Sequence, residues 1–432
     1  MNFRKWVDRL RADGKLAEAK KPLSRHLEAA AFIKALEPKP TILHVEASEI
    51  PVAANICASR SLIAEYLNIQ PSQIVERLLA AIEHPTKPQL VENPPCFEIS
   101  EKQADLDNLP LLFHAEKDGG NYISSAVVIA SHPEIGQNVS FHRLMQIGKN
   151  ELAIRIIPRH LQTILEKTNG DLPIAICIGN PPSVLLAGAC SVELGKDELE
   201  IANALEPLQV AKCPEANCYV PAESEFVLVG RITREMHEEG PFIDLTETYD
   251  LVRSQHVVKV DHVYHREKPI YQALVPGGLE HKTLMGTPRE PTIYREVSKV
   301  CDCADVFITP GGASWLHAIV KICKRHEDDG RKAIEAAFRG LTSLKHVLIV
   351  DEDVNPTDPM DVEWAFATRF QGDRGLVIKP GETGSSLDPS ADPQTRKTTK
   401  VGFDATRPLV LKGKNFEKAK LYPLKHSVND YL

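Results

Sequence analysis

Phe3, Trp6, Val7 and Leu10 recur at helical spacing, so the first dozen residues read as an amphipathic helix with Gly14 as its stop. A second helix spans Ser24 to Leu36 and ends at Pro38 and Pro40. Thr41 to Val45 reads as a strand, and Ser61 to Leu67 as a helix. Ser72 caps another helix carrying Ile74, Leu78, Leu79 and Ile82. This opening is a small α/β unit.

The texture then changes. The stretch from Cys96 to Phe113, rich in Asp, Glu and Pro, reads as a linker or crossing segment. Short β-rich runs follow at Ser124 to Ala130, Ile135 to Leu144, Ala153 to Ile157, Ile174 to Ile178, Glu225 to Ile232, Val257 to Tyr264 and Ile270 to Val275. Turn signals such as Asp118-Gly119-Gly120 and Pro276-Gly277-Gly278 separate some of them, a pattern that predicts a barrel-like sheet. Two helices interrupt it, at His160 to Thr168 and Glu198 to Leu205. Beyond Val300 strand and helix alternate. Val306 to Thr309 is a strand, His317 to Arg325 and Asp329 to Phe338 are helical, and His346 to Val350 reads as a buried parallel strand. Asp361 to Thr368 is a helix, and Gly381 to Thr399 a mobile loop. The resulting expectation is an α/β N-terminal domain (1–105), a central split β-barrel (106–298) and a C-terminal α/β domain (299–432), which fits a chain of 432 residues.

The net charge of −8 and the lack of a basic stripe argue against a nucleic-acid partner. No apolar run nears the roughly 20 residues that span a bilayer, and the N-terminus lacks the apolar core of a secretory signal. Nine scattered cysteines form no zinc or disulfide pattern and read as reduced thiols of a cytoplasmic protein.

One polar constellation looks like dedicated chemistry. Asn138, His160 and Glu225 supply an amide oxygen, an imidazole and a carboxylate, a set that suits a hard divalent ion such as Mn or Mg. Arg143, a planar permanent cation, suits a substrate carboxylate. In an unbroken strand Asn138 and Arg143 would face opposite ways, so serving one site requires a bend or bulge between them. Spacing alone favours ordinary roles, with Asn138 ending a turn, His160 capping a helix and Glu225 a solvated strand residue, and it leaves Arg143 as a surface ion pair.

Several segments, in order, resemble the UbiD-type decarboxylases: Tyr122-Ile123-Ser124-Ser125-Ala126, Asn138-Val139-Ser140-Phe141-His142-Arg143, Arg159-His160, Val220 to Leu228, Glu239-Gly240-Pro241-Phe242, Pro276-Gly277-Gly278-Leu279-Glu280, Val350 to Val354, Ala367-Thr368-Arg369 with Asp373-Arg374, and Lys400 to Thr406. The resemblance implies non-oxidative decarboxylation of an unsaturated acid with prenylated FMN, supplied by a flavin prenyltransferase. It implies a divalent metal on Asn138, His160 and Glu225 that bridges to the flavin phosphate, with potassium nearby. It also implies flavin contacts from Ser140, Phe141, His142, Arg143, Arg159, His160 and Lys400, the last in competition with Arg396 and Lys397. Arg143 then holds the substrate carboxylate, and Glu280 acts as acid/base, with His281 able to replace or assist it and a second partner left unplaced. Arg369 and Arg374 support the C-terminal fold or an oligomer contact. A homodimer or homohexamer is implied, with Tyr422 to Leu432 packing on a neighbouring subunit. The segment from Pro276 to Glu290 resembles the archaeal branch. That branch implies trans-anhydromevalonate 5-phosphate as substrate and isopentenyl phosphate as product, with His281, Lys282 and Arg289 as candidate phosphate contacts. A 4-hydroxybenzoate-type acid, a catalytically silent flavin binder and a metal-dependent hydrolase are the alternatives.

Overall fold

The chain is described by a computed structural model covering residues 1–411, 415–419, 421, 423 and 425–431. Its N-terminal part opens with the helix Phe3–Ala12, whose buried stripe Phe3, Trp6, Val7 and Leu10 follows the periodicity read from the sequence. Asn2 caps that helix by accepting from the Lys5 amide at 2.8 Å. A four-stranded sheet follows, ordered Ala17–Glu18, Thr41–His44, Pro51–Ala54 and Tyr271–Gln272. The last strand arrives from far along the chain, so the N-terminal and central parts share a sheet.

The central layer is a nine-stranded antiparallel sheet. Its hydrogen-bonded path runs Tyr122–Ile123, Leu144–Gln146, Glu151–Ile154, Arg253–His265, Phe226–Glu239, Leu172–Ile178, Val127–His132 and Gly136–Phe141. Ile99–Glu101 pairs on the side of Arg253–His265. The path is open, yet its last strand, Gly136–Phe141, is joined to Leu144–Gln146 by His142 and Arg143 alone. Two residues reach only about 10 Å, so the two ends of the sheet must curl to meet. The His142 amide donates to the Ala126 carbonyl at 3.2 Å across that meeting point. The expected split barrel is thus a curled sheet, and its split lies at His142 and Arg143. The chain leaves the ladder there, which supplies the break needed between Asn138 and Arg143.

The C-terminal part is a five-stranded mixed sheet ordered Asp302–Ile308, His317–Cys323, His346–Asp351, Lys397–Asp404 and Leu376–Thr383, with the helices Asp329–Gly340 and Pro359–Arg369. One sequence expectation is corrected here: His317 to Cys323 is a strand, not a helix. It sits between two partner strands, and Ala318, Ile319, Val320 and Ile322 are buried on both of its faces. Such strands read as continuous apolar runs without period. The stretch Gly381 to Thr399, read as a loop, holds the end of one strand and the start of the next. The expectation for Tyr422 to Leu432 falls partly on Tyr422, Leu424 and Leu432, outside the described residues. Among the described residues no helix is long and apolar enough to cross a membrane, and the nine cysteines are free.

Candidate active site at the split of the sheet

The site is built on the run that closes the curled sheet. Asn138 lies buried in the strand Gly136–Phe141. Its Nδ2 donates to Glu198 Oε1 at 3.1 Å, and the Val139 amide donates to Glu198 Oε2 at 2.8 Å. Glu198 opens the helix Glu198–Leu205, which packs on that strand, as does the helix His160–Lys167. Burial pushes the Glu198 carboxyl up to about 8, against the hydrogen bonds it receives. Among the described residues it has no ion-pair partner, the environment of a carboxylate that lacks its cation.

Ser140 Oγ stands 3.0 Å from both Asn138 Oδ1 and His142 Nε2. His142 Nδ1 donates to the Arg155 carbonyl at 2.9 Å, and burial pushes its imidazole down to about 4, so the ring is neutral. A neutral ring protonated at Nδ1 can only accept at Nε2. Ser140 Oγ has a single proton to give to either Asn138 Oδ1 or His142 Nε2, and the amide oxygen of Asn138 keeps a lone pair open to a ligand in either case.

On the other side of the run, Arg143 forks onto Glu239. Its Nε donates to Oε1 at 2.9 Å and its Nη2 to Oε2 at 3.0 Å. Nη2 also reaches Asp250 at 2.9 Å, while Nη1 makes only a 3.4 Å contact with Asp244. The guanidinium lies 4.9 Å from the ring centre of Phe242. Glu239, at the end of the strand Phe226–Glu239, is fully buried and also accepts from the Tyr122 hydroxyl at 3.1 Å. The His281 imidazole borders this group: burial and the Arg143 charge push it down to about 4, while Asp244 opposes the shift. His281 Nδ1 accepts from the Gly277 amide at 3.0 Å.

Three family models match most of the chain. A 3-octaprenyl-4-hydroxybenzoate carboxy-lyase N-terminal domain matches residues 7–82, the Rift-related domain 89–279 and the C-terminal domain 282–405. The chain belongs to the UbiD family of carboxy-lyases. It is 41% identical over 94% of its length to an anhydromevalonate phosphate decarboxylase of Methanothermobacter thermautotrophicus, covering 97% of that protein. It is 40% identical over 97% of its length to the enzyme of the same name from Methanosarcina mazei, covering 99% of it. Among solved structures, the UbiD-class enzyme HmfF of Pelotomaculum thermopropionicum in complex with FMN superposes with a TM-score of 0.96 at 37% identity, each chain fully covered.

The structure separates several residues that the UbiD resemblance grouped. Glu225 does not meet Asn138. Its buried carboxylate accepts from Arg4 Nη2 at 2.7 Å and the Ile270 amide at 3.0 Å, with Arg266 at 3.6 Å, so its charge is already matched. Glu280 does not pair with Arg143: it accepts from the Asn55 and Cys57 amides at 2.7 and 2.8 Å, just past the strand Pro51–Ala54. Lys400 lies buried in the C-terminal sheet and donates to the Thr342 carbonyl at 2.6 Å. Phe141 is half-buried beside Ser140 and packs on the core that holds Val127, Ile129 and Val139, and Arg159 precedes the helix that His160 opens. The sequence reading assigned no role to Glu198, Glu239, Asp244 or Asp250. Glu239 lay within a quoted motif, and Glu198 reads in sequence as an ordinary acidic first turn.

Proposed function

We propose that this chain decarboxylates an α,β-unsaturated carboxylic acid with prenylated FMN, and that the acid is trans-anhydromevalonate 5-phosphate, giving isopentenyl phosphate. The observation that carries the chemistry is the fork of Arg143 on the fully buried Glu239 at the split of the sheet. The choice of acid rests on the archaeal anhydromevalonate phosphate decarboxylases, five of which are 38–41% identical over at least 90% of this chain. The flavin rests on HmfF, also solved in an evolved dimeric form with prFMN. A 3,4-dihydroxybenzoic acid decarboxylase of Klebsiella pneumoniae has a TM-score of 0.90 but only 25% identity, which supports an aromatic acid less well.

The donor set fits a divalent ion: at Glu198 a buried carboxyl group with no ion-pair partner among the described residues, at Asn138 an amide oxygen that takes at most one hydrogen bond, from Ser140, and His160 on the neighbouring helix. These three, with Glu198 in the place first given to Glu225, are the residues we assign to the metal that anchors the flavin phosphate. The bound flavin supplies an electron sink for the pair left when carbon dioxide departs. Arg143 offers Nη1, its least engaged donor, to the substrate carboxylate. Glu239, aimed by Arg143 and Tyr122, is the carboxyl group we assign to proton transfer: it takes up a proton from solvent and passes it to the carbon that carbon dioxide leaves, and Asp244, on the same guanidinium, is the second acid. The apolar wall around Tyr122 and Phe242 keeps water from that proton.

Glu239→Gln keeps the shape of the group and removes its titrating proton. It is expected to lower the decarboxylation rate about 10²- to 10⁴-fold with flavin absorbance unchanged. Wild-type rates in that variant would remove Glu239 from the mechanism.

A further inference from the structure

Arg289 is the least compensated buried cation near this site. It closes the turn Thr287–Arg289 at the end of the helix Leu279–Gly286 and is 7% exposed. Its guanidinium lies 4.7 Å from the ring centre of Trp315, whose indole N–H donates to Ser385 Oγ at 2.9 Å and so fixes the ring. Nη1 donates to Ser191 Oγ at 3.1 Å, while Nε has no partner. The neighbouring Glu290 turns away to Arg60 and the Ile308 amide. Among the described residues no carboxylate pairs with Arg289. Burial, reinforced by the nearby charge of Arg159, pushes it down to about 9. Cys190 feels both Glu198 and Arg289, so the candidate metal ligand and this arginine border one region.

A flat, pre-oriented guanidinium with a free donor and a second cation at the rim is the arrangement that receives a dianion. We propose that Arg289, held by Trp315 and Ser191, is a recognition residue for a phosphate monoester. The inference rests on the reading that this chain handles a flavin phosphate and a phosphorylated acid. Either could be the group recognised, and the two sources separate experimentally.

The test compares the full-length wild type with Arg289→Gln and Arg289→Lys. One arm measures binding of FMN against riboflavin by flavin fluorescence. The other measures binding of trans-anhydromevalonate 5-phosphate against its dephosphorylated form through the absorbance of the bound flavin, together with KM. Losing one charge-assisted pair predicts a 10- to 100-fold loss of preference for the phosphorylated partner in Arg289→Gln, with partial recovery in Arg289→Lys, which keeps the charge but not the fork. A loss confined to the acid assigns the site to substrate, and a loss confined to FMN assigns it to the cofactor. Unchanged preference in both arms, in variants that still bind flavin, overturns the proposal. Because both arms read binding, absence of turnover in the wild type would count against the decarboxylase reading while leaving the arginine tested.

Discussion

A carboxyl group shut away from water is held for a reason, and Glu239 and Glu280 are held for different ones. Glu239 faces Arg143 and Tyr122 across the split. Glu280 accepts two backbone amides and, through burial, is pushed up to about 7. The folded chain therefore keeps the Glu280 proton more tightly than the unfolded chain, whose carboxyl titrates near about 4.3. The stability from this group is full at low pH, falls as pH rises from about 4.3 towards 7, and is constant above. Glu280→Gln is expected to flatten that part of the urea-midpoint profile and to leave decarboxylation within a few-fold of wild type. Loss of activity at unchanged stability would instead return Glu280 to the chemistry. The run from Asn138 to Arg143 was legible in the sequence because it is contiguous. Its carboxylates were not, since Glu198 reaches it across 60 residues and Glu239 across 96. Spacing cannot rank Glu198 above Glu225 when both sit where a chain ordinarily places a solvated acid.

At the scale of elements, periodicity served where one face is buried and failed where both are. The stripe Phe3, Trp6, Val7 and Leu10 marks a helix covered on one side. His317–Cys323 is apolar on both sides because the helix Asp329–Gly340 packs on one face, against Ala318, Val320 and Ile322, and Pro359–Arg369 on the other, against Ile319, and its length alone did not distinguish it from a helix. Ile322 is fully buried there, so Ile322→Ala is expected to cost about 2–5 kcal/mol in urea unfolding. A cost near zero would contradict the strand's central place. The curl of the central sheet was foreshadowed by closely spaced β-runs. That it closes at His142 and Arg143 follows only from pairing Gly136–Phe141 at one end of the path and Leu144–Gln146 near the other. That closure brings the two halves of the site together.

At the scale of the whole molecule, the three parts are tied at a few buried polar points. Tyr271–Gln272 returns to the N-terminal sheet. Glu290 joins Arg60 of the first part to the Ile308 amide of the last. Arg289, next to it, turns to Trp315 of the C-terminal part. The change of texture near Cys96 and again near Val300 made the three-part order visible in the sequence, whereas ties such as Arg60 to Glu290, 230 positions apart, leave no local mark in it. The arrangement sets the run Asn138 to Arg143 at the centre, between the candidate metal ligands and the Arg143–Glu239 pair. The claim that this centre decarboxylates a phosphorylated unsaturated acid is tested most directly by carbon dioxide release. The protein would be co-produced with a flavin prenyltransferase and given trans-anhydromevalonate 5-phosphate beside Glu239→Gln. Release by the wild type with formation of isopentenyl phosphate, lost in the variant, is the predicted result. Flavin-loaded protein that leaves this acid untouched, or a Glu239→Gln variant as fast as the wild type, would contradict it.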